Sequence, residues 1–173
     1  TEGECADALR SAIADCCAIV PCGAGTCLDT GMRLRGRSFA VLRTSRLGDR
    51  IEVAEGDSLV TASAGVPFSA LQEAVAAKRQ RLDIDPPFAD RATVGGVVAA
   101  NAYGLLRCSA GPVADLIVAA RIVTGAGEVV KTGAHVVKNA AGYSLSRLIA
   151  GSHGSLGIIA EVTFRTNPQP PAR

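Results

Sequence analysis

Residues Arg91–Gly104 read RATVGGVVAANAYG: three glycines, four alanines and one asparagine, with hardly a side chain able to do chemistry. Thr93 is placed to cap a helix that begins at Val94. Gly95 and Gly96 then fall in its first turn, where free amides and the positive end of the helix dipole favour a phosphate. A larger side chain at either position would hold a diphosphate off the backbone. Ala99, Ala100 and Ala102 keep the helix slim, so that a flat ligand can lie against it. Close packing of helices through small residues is the competing reading of the same pattern.

Two more glycine loops flank this stretch. Pro21–Thr26, PCGAGT, follows an apolar run, and Gly23 and Gly25 let the backbone turn tightly and offer its amide protons to an anion. It is not a G-x-G-x-x-G fingerprint, because position 28 is Leu and the following DTGMRLRG does not open as a helix. An ordinary glycine turn is the alternative. Gly151–Ile159, GSHGSLGII, lacks the Gly-Lys-Ser/Thr of a Walker loop but runs into an apolar strand. Its backbone can hold the edge of an adenine. His153, and His135 upstream, are candidate bases, though a lone histidine in a polar loop more often faces solvent. Asp83 and Asp85, on either side of Ile84, read as the end of a strand rather than as a proton-sharing pair.

Periodicity supplies the rest. Glu4–Ala18 reads as a helix burying Ala6, Leu9, Ile13 and Cys17. Ala18–Pro21 and Ser38–Arg43 read as strands, and Arg50–Gly65 as two short strands around Glu55-Gly56-Asp57. Pro67–Arg81 is an amphipathic helix with a proline at its start. Asp115–Gly133 is a hairpin turning at Gly125-Ala126-Gly127, Gly142–Gly151 a short helix, and Leu156–Thr166 an alternating strand. This order is not a regular βαβ alternation, so an α+β fold of two subdomains is expected, divided near Gly48–Ile51. NPQPPAR, Asn167–Arg173, reads as an extended linker that implies further chain beyond it.

Composition narrows the function. The 173 residues are 48% hydrophobic and 20% charged, as in an ordinary globular protein. With no Trp, two Tyr, four Phe and a formal charge of +2, neither base-stacking platforms nor a phosphate-backbone footprint is present, which excludes a nucleic-acid binder. No run of 18 apolar residues predicts an integral membrane segment, and no signal peptide is visible. Five of six cysteines lie in the first 27 residues, but no C-x-x-C spacing occurs, so they read as reduced thiols of a cytoplasmic protein rather than metal ligands. Several anion-ready loops without acid–base machinery point to a cofactor that carries the chemistry.

Three stretches taken together carry a resemblance: LDIDPPFADRATVGGVVAANAYG, GPVADLIVAARIVTGAGEVVKTG and VVKNAAGYSLSRLIAGSHGSLGIIAEVTF. In that order, from about Pro21 to Pro168, the chain resembles the FAD-binding domain of FAD-linked oxidases, the PCMH/VAO-type fold. It is most similar to glycolate oxidase flavin subunits. The resemblance implies a two-subdomain α+β fold with FAD between a small α/β subdomain (1–50) and a larger, mainly antiparallel one (51–173). It implies that Gly23, Ala24, Gly25 and Thr26 cradle the diphosphate, with Thr93, Val94, Gly95 and Gly96 opposite. Asn101, Ala102 and Gly104 would border the flavin or its ribityl chain, Pro87 would line the flavin, and Gly157, Ile158 and Ile159 would hold the adenine end. Some relatives tether FAD through a histidine in the first loop; Ala24 here implies non-covalent FAD.

The chain departs from the family's pattern. Ser109-Ala110-Gly111 stands where relatives often carry Arg-Tyr-Gly, and Gly142-Tyr143-Ser144-Leu145 where they often carry Gly-Tyr-Asp-Leu. The substrate cap that supplies most acid–base residues in the family is absent from these 173 residues. The expected role is to hold FAD so that it accepts a hydride at N5 from a 2-hydroxy acid, alongside other flavin and iron–sulfur oxidase subunits. The alternative is a non-catalytic FAD-binding or structural subunit. The expected location is cytoplasmic, or at the membrane periphery through partner subunits.

Overall fold

A computed structural model of the chain describes residues 1–30, 38–133 and 145–170. Helix α1, Glu2–Ala14, opens with a capping box: Thr1 Oγ1 accepts from the Glu4 amide, and the Glu4 carboxylate reaches back to the N-terminus. Its buried residues are Cys5, Ala6, Leu9 and Ala12, whereas Ile13 is 59% exposed. The expected helix to Ala18 with Ile13 and Cys17 inside is therefore corrected. Asp15 ends the helix, and Cys16 takes a left-handed φ of 52°, which swings the chain into the first strand.

Strands β1, Ala18–Cys22, and β2, Phe39–Arg43, form a small parallel sheet with Ala18 opposite Phe39 and Cys22 opposite Arg43. The larger sheet starts with the hairpin of β3, Ile51–Ala54, and β4, Leu59–Ser63, around a 3-10 turn at Glu55–Asp57. Helix α2, Phe68–Ala77, is shorter than expected: Arg79 adopts φ 54°, and the chain re-enters as β5, Gln80–Arg81. Then follow α3, Val94–Ala100; α4, Arg107–Ala110; α5, Val113–Leu116; the hairpin of β6, Ile117–Val123, and β7, Val129–Gly133; α6, Leu145–Leu148; β8, Ile158–Arg165; and β9, Asn167–Pro168. The expected helix from Gly142 is seen only from Leu145; its first three residues and His135 lie outside the described residues.

The five-stranded sheet runs β3-β4-β8-β6-β7 and every pairing in it is antiparallel. Strand β8 inserts between β4 and β6, placing Val162 opposite both Ala62 and Ala120. Thr61 and Thr163, directly opposite each other, share a buried hydroxyl–hydroxyl hydrogen bond of 2.9 Å. All five residues of β4 are buried, and the core packs Val60, Val162 and Phe164 with Phe68, Leu71 and Val75 of α2 and Val94, Val97 and Val98 of α3. Each such side chain contributes about 1.5–3 kcal/mol on burial. Helix α1 is fastened to this sheet by the Arg121–Glu2 ion pair and by Arg10 Nη2 donating to the Gly127 carbonyl at 2.8 Å.

The expected linker from Asn167 is also corrected. Asn167 and Pro168 pair with Arg81 and Gln80, Asn167 Nδ2 donates to Asp83 at 2.6 Å, and the Gln169 amide donates to the Arg79 carbonyl. The α+β class expected from the element order is the one observed.

Candidate functional site

The three glycine loops converge. A cleft of about 720 Å³ is lined by Pro21–Leu28 of the first loop, Thr93, Gly95, Gly96, Ala99 and Ala100 of α3, and His153, Gly154, Ser155 and Gly157–Ile159 of the third loop and β8. Such a volume suits a large ligand. Two close approaches lock the arrangement. A Cβ at Gly23 would collide with Thr93 Oγ1, so the first loop and the α3 cap touch there. A Cβ at Gly154, which has φ 78°, would lie 2.8 Å from Pro21 Cγ, so the third loop rests on the end of β1.

The first loop leaves its amides open among the described residues. The amides of Gly23, Ala24, Gly25, Thr26 and Cys27 make no hydrogen bond to another described residue. Five consecutive unengaged donors, bent by Gly25 at φ 78°, suit a group rich in acceptor oxygens.

The start of α3 does not. Thr93 caps it as expected, its Oγ1 accepting from the Gly96 amide at 3.3 Å. The amides expected to be free are engaged: Val94 donates to the Val66 carbonyl and Gly95 to the Ala64 carbonyl, both at 2.9 Å. The cause is the antiparallel bridge between Pro67 and Thr93, which lays the start of α3 along the segment leaving β4. Gly95 answers to packing, since its Cβ would stand 2.7 Å from Ala64 Cβ. Gly96 differs: its Cβ would meet only Thr93 Oγ1, at 3.1 Å, and would otherwise stand in open space on the cleft side. Packing thus accounts for Gly95, whereas only the Thr93 hydroxyl, which also accepts from the Gly96 amide, stands against Gly96.

The remaining candidates separate in the same way. Gly157, Ile158 and Ile159 line the cleft, and the close approach of Gly157 to the Val123 carbonyl explains its lack of a side chain. Pro87, Val94, Asn101, Ala102 and Gly104 do not line it. Pro87 is exposed and Val94 fully buried. Asn101 ends α3 in a left-handed conformation, and its buried Oδ1 has no partner among the described residues. Ala102 packs on the core. Gly104 serves Asp85, whose carboxylate accepts from the Gly104 amide at 3.0 Å and the Leu106 amide at 3.1 Å. Asp83 instead pairs with Arg81 at 2.9 Å, so the two aspartates have separate partners.

Sequence reasoning missed Ile19, Val20, Cys22, Cys27, Leu28, Thr30, Phe39 and Thr44 as cleft residues. The parallel pairing of β1 with β2, which carries Phe39 and Thr44 to the site, has no local signal; the apolar residues before the first loop were the available clue. Near the Ser109-Ala110 departure, the Arg107 guanidinium stacks on the Tyr103 ring at 3.9 Å, so a cation and an aromatic ring stand close to that segment. Among the described residues no group of His, Cys, Asp and Glu could hold a metal, and no helix is long and apolar enough to cross a membrane.

Comparison with known proteins adds to this geometry. A family model described as FAD binding domain matches residues 1–133. Glycolate oxidase subunit GlcE of Escherichia coli (strain K12) is 40% identical over 115 residues, 66% of this chain and 33% of that protein. D-2-hydroxyglutarate dehydrogenase of Xanthomonas citri pv. viticola is 35% identical over 167 residues, 95% of this chain and 35% of that protein. Among solved structures, an alkyldihydroxyacetonephosphate synthase superposes with a TM-score of 0.79 at 23% identity, covering 98% of this chain and 30% of the other. A Phl p 4 variant described as a glucose oxidase superposes with a TM-score of 0.81 at 17% identity, covering 99% and 34%. At those identities the structural likeness shows a shared fold. The chain spans about a third of the length of the curated relatives it matches.

Proposed function

This chain belongs to the FAD binding domain family, and we propose on that premise that it is the FAD-holding part of a 2-hydroxy-acid oxidoreductase of the glycolate oxidase kind. The observation that supports this reading of the site is the first loop, where five consecutive residues that line a cleft built from all three glycine loops have amides with no partner among the described residues. In this reading Gly23–Thr26 bind the diphosphate, Gly96 leaves room beside it, and Ala99 and Ala100 offer a low wall for a flat ring. Gly157, Ile158 and Ile159 bound the cleft at its β8 end. Residues 1–50 form the small subdomain and 51–173 the larger one. FAD is held without a covalent bond, since Ala24 offers no atom for a tether. When bound, FAD supplies a hydride acceptor at its N5 position.

A second reading is a FAD-binding subunit without turnover of its own. It is favoured by a cleft that shows no carboxylate, lysine or tyrosine among the described residues. In either case the proposed partners are other flavin and iron–sulfur subunits; that there are partner subunits at all is supported by the relative named as a glycolate oxidase subunit. The six unpaired cysteines support a cytoplasmic location, with any membrane contact made through partners.

The test is titration of the apo protein with FAD, followed by flavin fluorescence and calorimetry. Saturable binding at one FAD per chain, released on denaturation, is expected. The absence of saturable binding refutes the site. Bleaching of the bound flavin by 2-hydroxy acids separates the first reading from the second.

A further inference from the structure

In the turn that follows β2, residues 43–50, only Thr44 and Leu47 are buried. Leu47 joins the apolar core, whereas Thr44, 8% exposed, brings a hydroxyl with it. Both backbone groups of Thr44 are engaged. Its amide donates to the Cys22 carbonyl at 2.8 Å, and its carbonyl accepts from the Leu47 amide at 3.0 Å. Its hydroxyl makes no hydrogen bond to another described residue. Nor is that oxygen sealed inside the protein: the sealed, partnerless side-chain atoms among the described residues belong to Asn101, Arg121 and Thr132. The Thr44 oxygen therefore keeps open surface, and Thr44 lines the cleft. A hydroxyl on so buried a residue costs stability until it is paired, and a partner that enters through the cleft is a ligand or a water.

The backbone fixes Thr44 where the parts of the cleft meet. Its bond to Cys22 extends by one residue the β1–β2 register, in which Cys22 stands opposite Arg43. Gly23, next after Cys22, carries the first of the five unengaged amides. The same turn backs on Gly65, where a Cβ would lie 3.0 Å from the Thr44 carbonyl oxygen and 2.9 Å from the Leu47 amide nitrogen. The residues on either side of Gly65, Ala64 and Val66, hold the amides of Gly95 and Val94. Thr44 is thus pinned both to the head of the first loop and to the segment that carries the start of α3. Thr93 reaches the same place from α3, since a Cβ at Gly23 would collide with its hydroxyl oxygen.

We propose that the Thr44 hydroxyl donates a hydrogen bond to an oxygen of the diphosphate of a bound dinucleotide, at the Gly23 end of the first loop. This rests on the reading of the cleft as the FAD site. The partnerless hydroxyl then gains an acceptor, and the diphosphate gains a side-chain donor to add to the backbone amides. A donor to an anionic oxygen makes a bond about twice as strong as one between neutral groups.

The experiment titrates wild type, Thr44→Val and Thr44→Ser with FAD and melts each protein without ligand. Valine keeps the shape of the side chain and loses the hydroxyl; serine keeps the hydroxyl. A hydrogen bond to a charged group is worth about tenfold or more in affinity, and Thr44→Val should bind FAD more weakly by that factor. Without ligand it should melt at or above the wild-type temperature, because a methyl has replaced a hydroxyl that had no partner. Thr44→Ser should bind FAD nearly as wild type does. ADP, which carries the diphosphate without the flavin, should displace FAD from wild type and lose affinity for Thr44→Val by the same factor as FAD. Undiminished FAD binding by Thr44→Val overturns the proposal and leaves the FAD site standing. So does a loss seen with FAD but not with ADP, an ADP that fails to displace FAD from wild type, or a serine variant that binds as poorly as the valine one. A Thr44→Val protein that melts well below wild type without ligand gives the hydroxyl a structural duty and overturns the proposal too. Failure of wild type to bind FAD removes both readings.

Discussion

Gly95 and Gly96 are neighbours in different surroundings, and exchanging each for alanine separates packing from the proposed contact with FAD. In Gly95→Ala the new methyl lies 2.7 Å from Ala64 Cβ and 3.2 Å from the Ala64 carbonyl oxygen. Neither is the end of a flexible side chain, and that same carbonyl holds the Gly95 amide, so α3 must back away from the sheet. Overpacking of this kind costs about 1–3 kcal/mol, against roughly 1 kcal/mol returned by the better helix propensity of alanine. A net loss of up to about 2 kcal/mol lowers the melting temperature by up to roughly 8 °C in a chain of this size. In Gly96→Ala the methyl meets only Thr93 Oγ1 at 3.1 Å. Apo stability is then unchanged, or raised by up to about 1 kcal/mol through propensity. The methyl intrudes on the cleft instead, and FAD affinity falls by about tenfold or more, the effect of losing one good contact. Urea and thermal unfolding of the apo proteins, with FAD titrations beside them, read both effects. A Gly95→Ala protein as stable as wild type, or a Gly96→Ala protein that binds FAD undiminished, refutes the division of labour.

Three further outcomes are expected. Asp85→Ala frees the Gly104 and Leu106 amides and should cost about 2–3 kcal/mol in urea unfolding, with new proteolytic cleavage between 101 and 106; Asp85→Asn should lose less. Leu9→Ala should cost about 2–5 kcal/mol while Ile13→Ala changes the unfolding midpoint little, and the reverse order would restore the helix face read from periodicity. Maleimide at neutral pH should label Cys16 and Cys108, which are exposed, before Cys5, whose thiol is pushed up by burial; mass spectrometry of peptides over time reads the order.

What the sequence made legible was local. The Thr93 cap and the β6–β7 hairpin each follow from residues within one segment, and each is present, whereas the expected alternation of β8 is not: as the central strand it is buried on both faces, with only Glu161 and Arg165 less so. The α1 face slipped because Cys16 leaves the helical region, and nothing in ECADALRSAIADCCA marks a cysteine for a left-handed turn. The Gly95 amide was misread because its acceptor, the Ala64 carbonyl, is 31 positions away along the chain, as the residue numbers give directly. Asp85 was read only as the end of a strand for a related reason: its partners are backbone amides of a distant loop, which leave no trace in side-chain pattern. The convergence of three glycine loops followed from resemblance; the composition of each loop alone left a plain turn equally open.

The place of β8 has a consequence for biosynthesis. The strand that separates β4 from β6 is built from residues 158–165, emerging from the ribosome long after both neighbours. Until then the β3–β4 and β6–β7 hairpins exist as two ribbons with open edges toward a gap that only the late strand closes. Pairing over such separations is slow, and exposed edges invite wrong partners. The cleft, which takes Ile158 and Ile159 from this strand, has no finished wall for the cofactor before β8 docks.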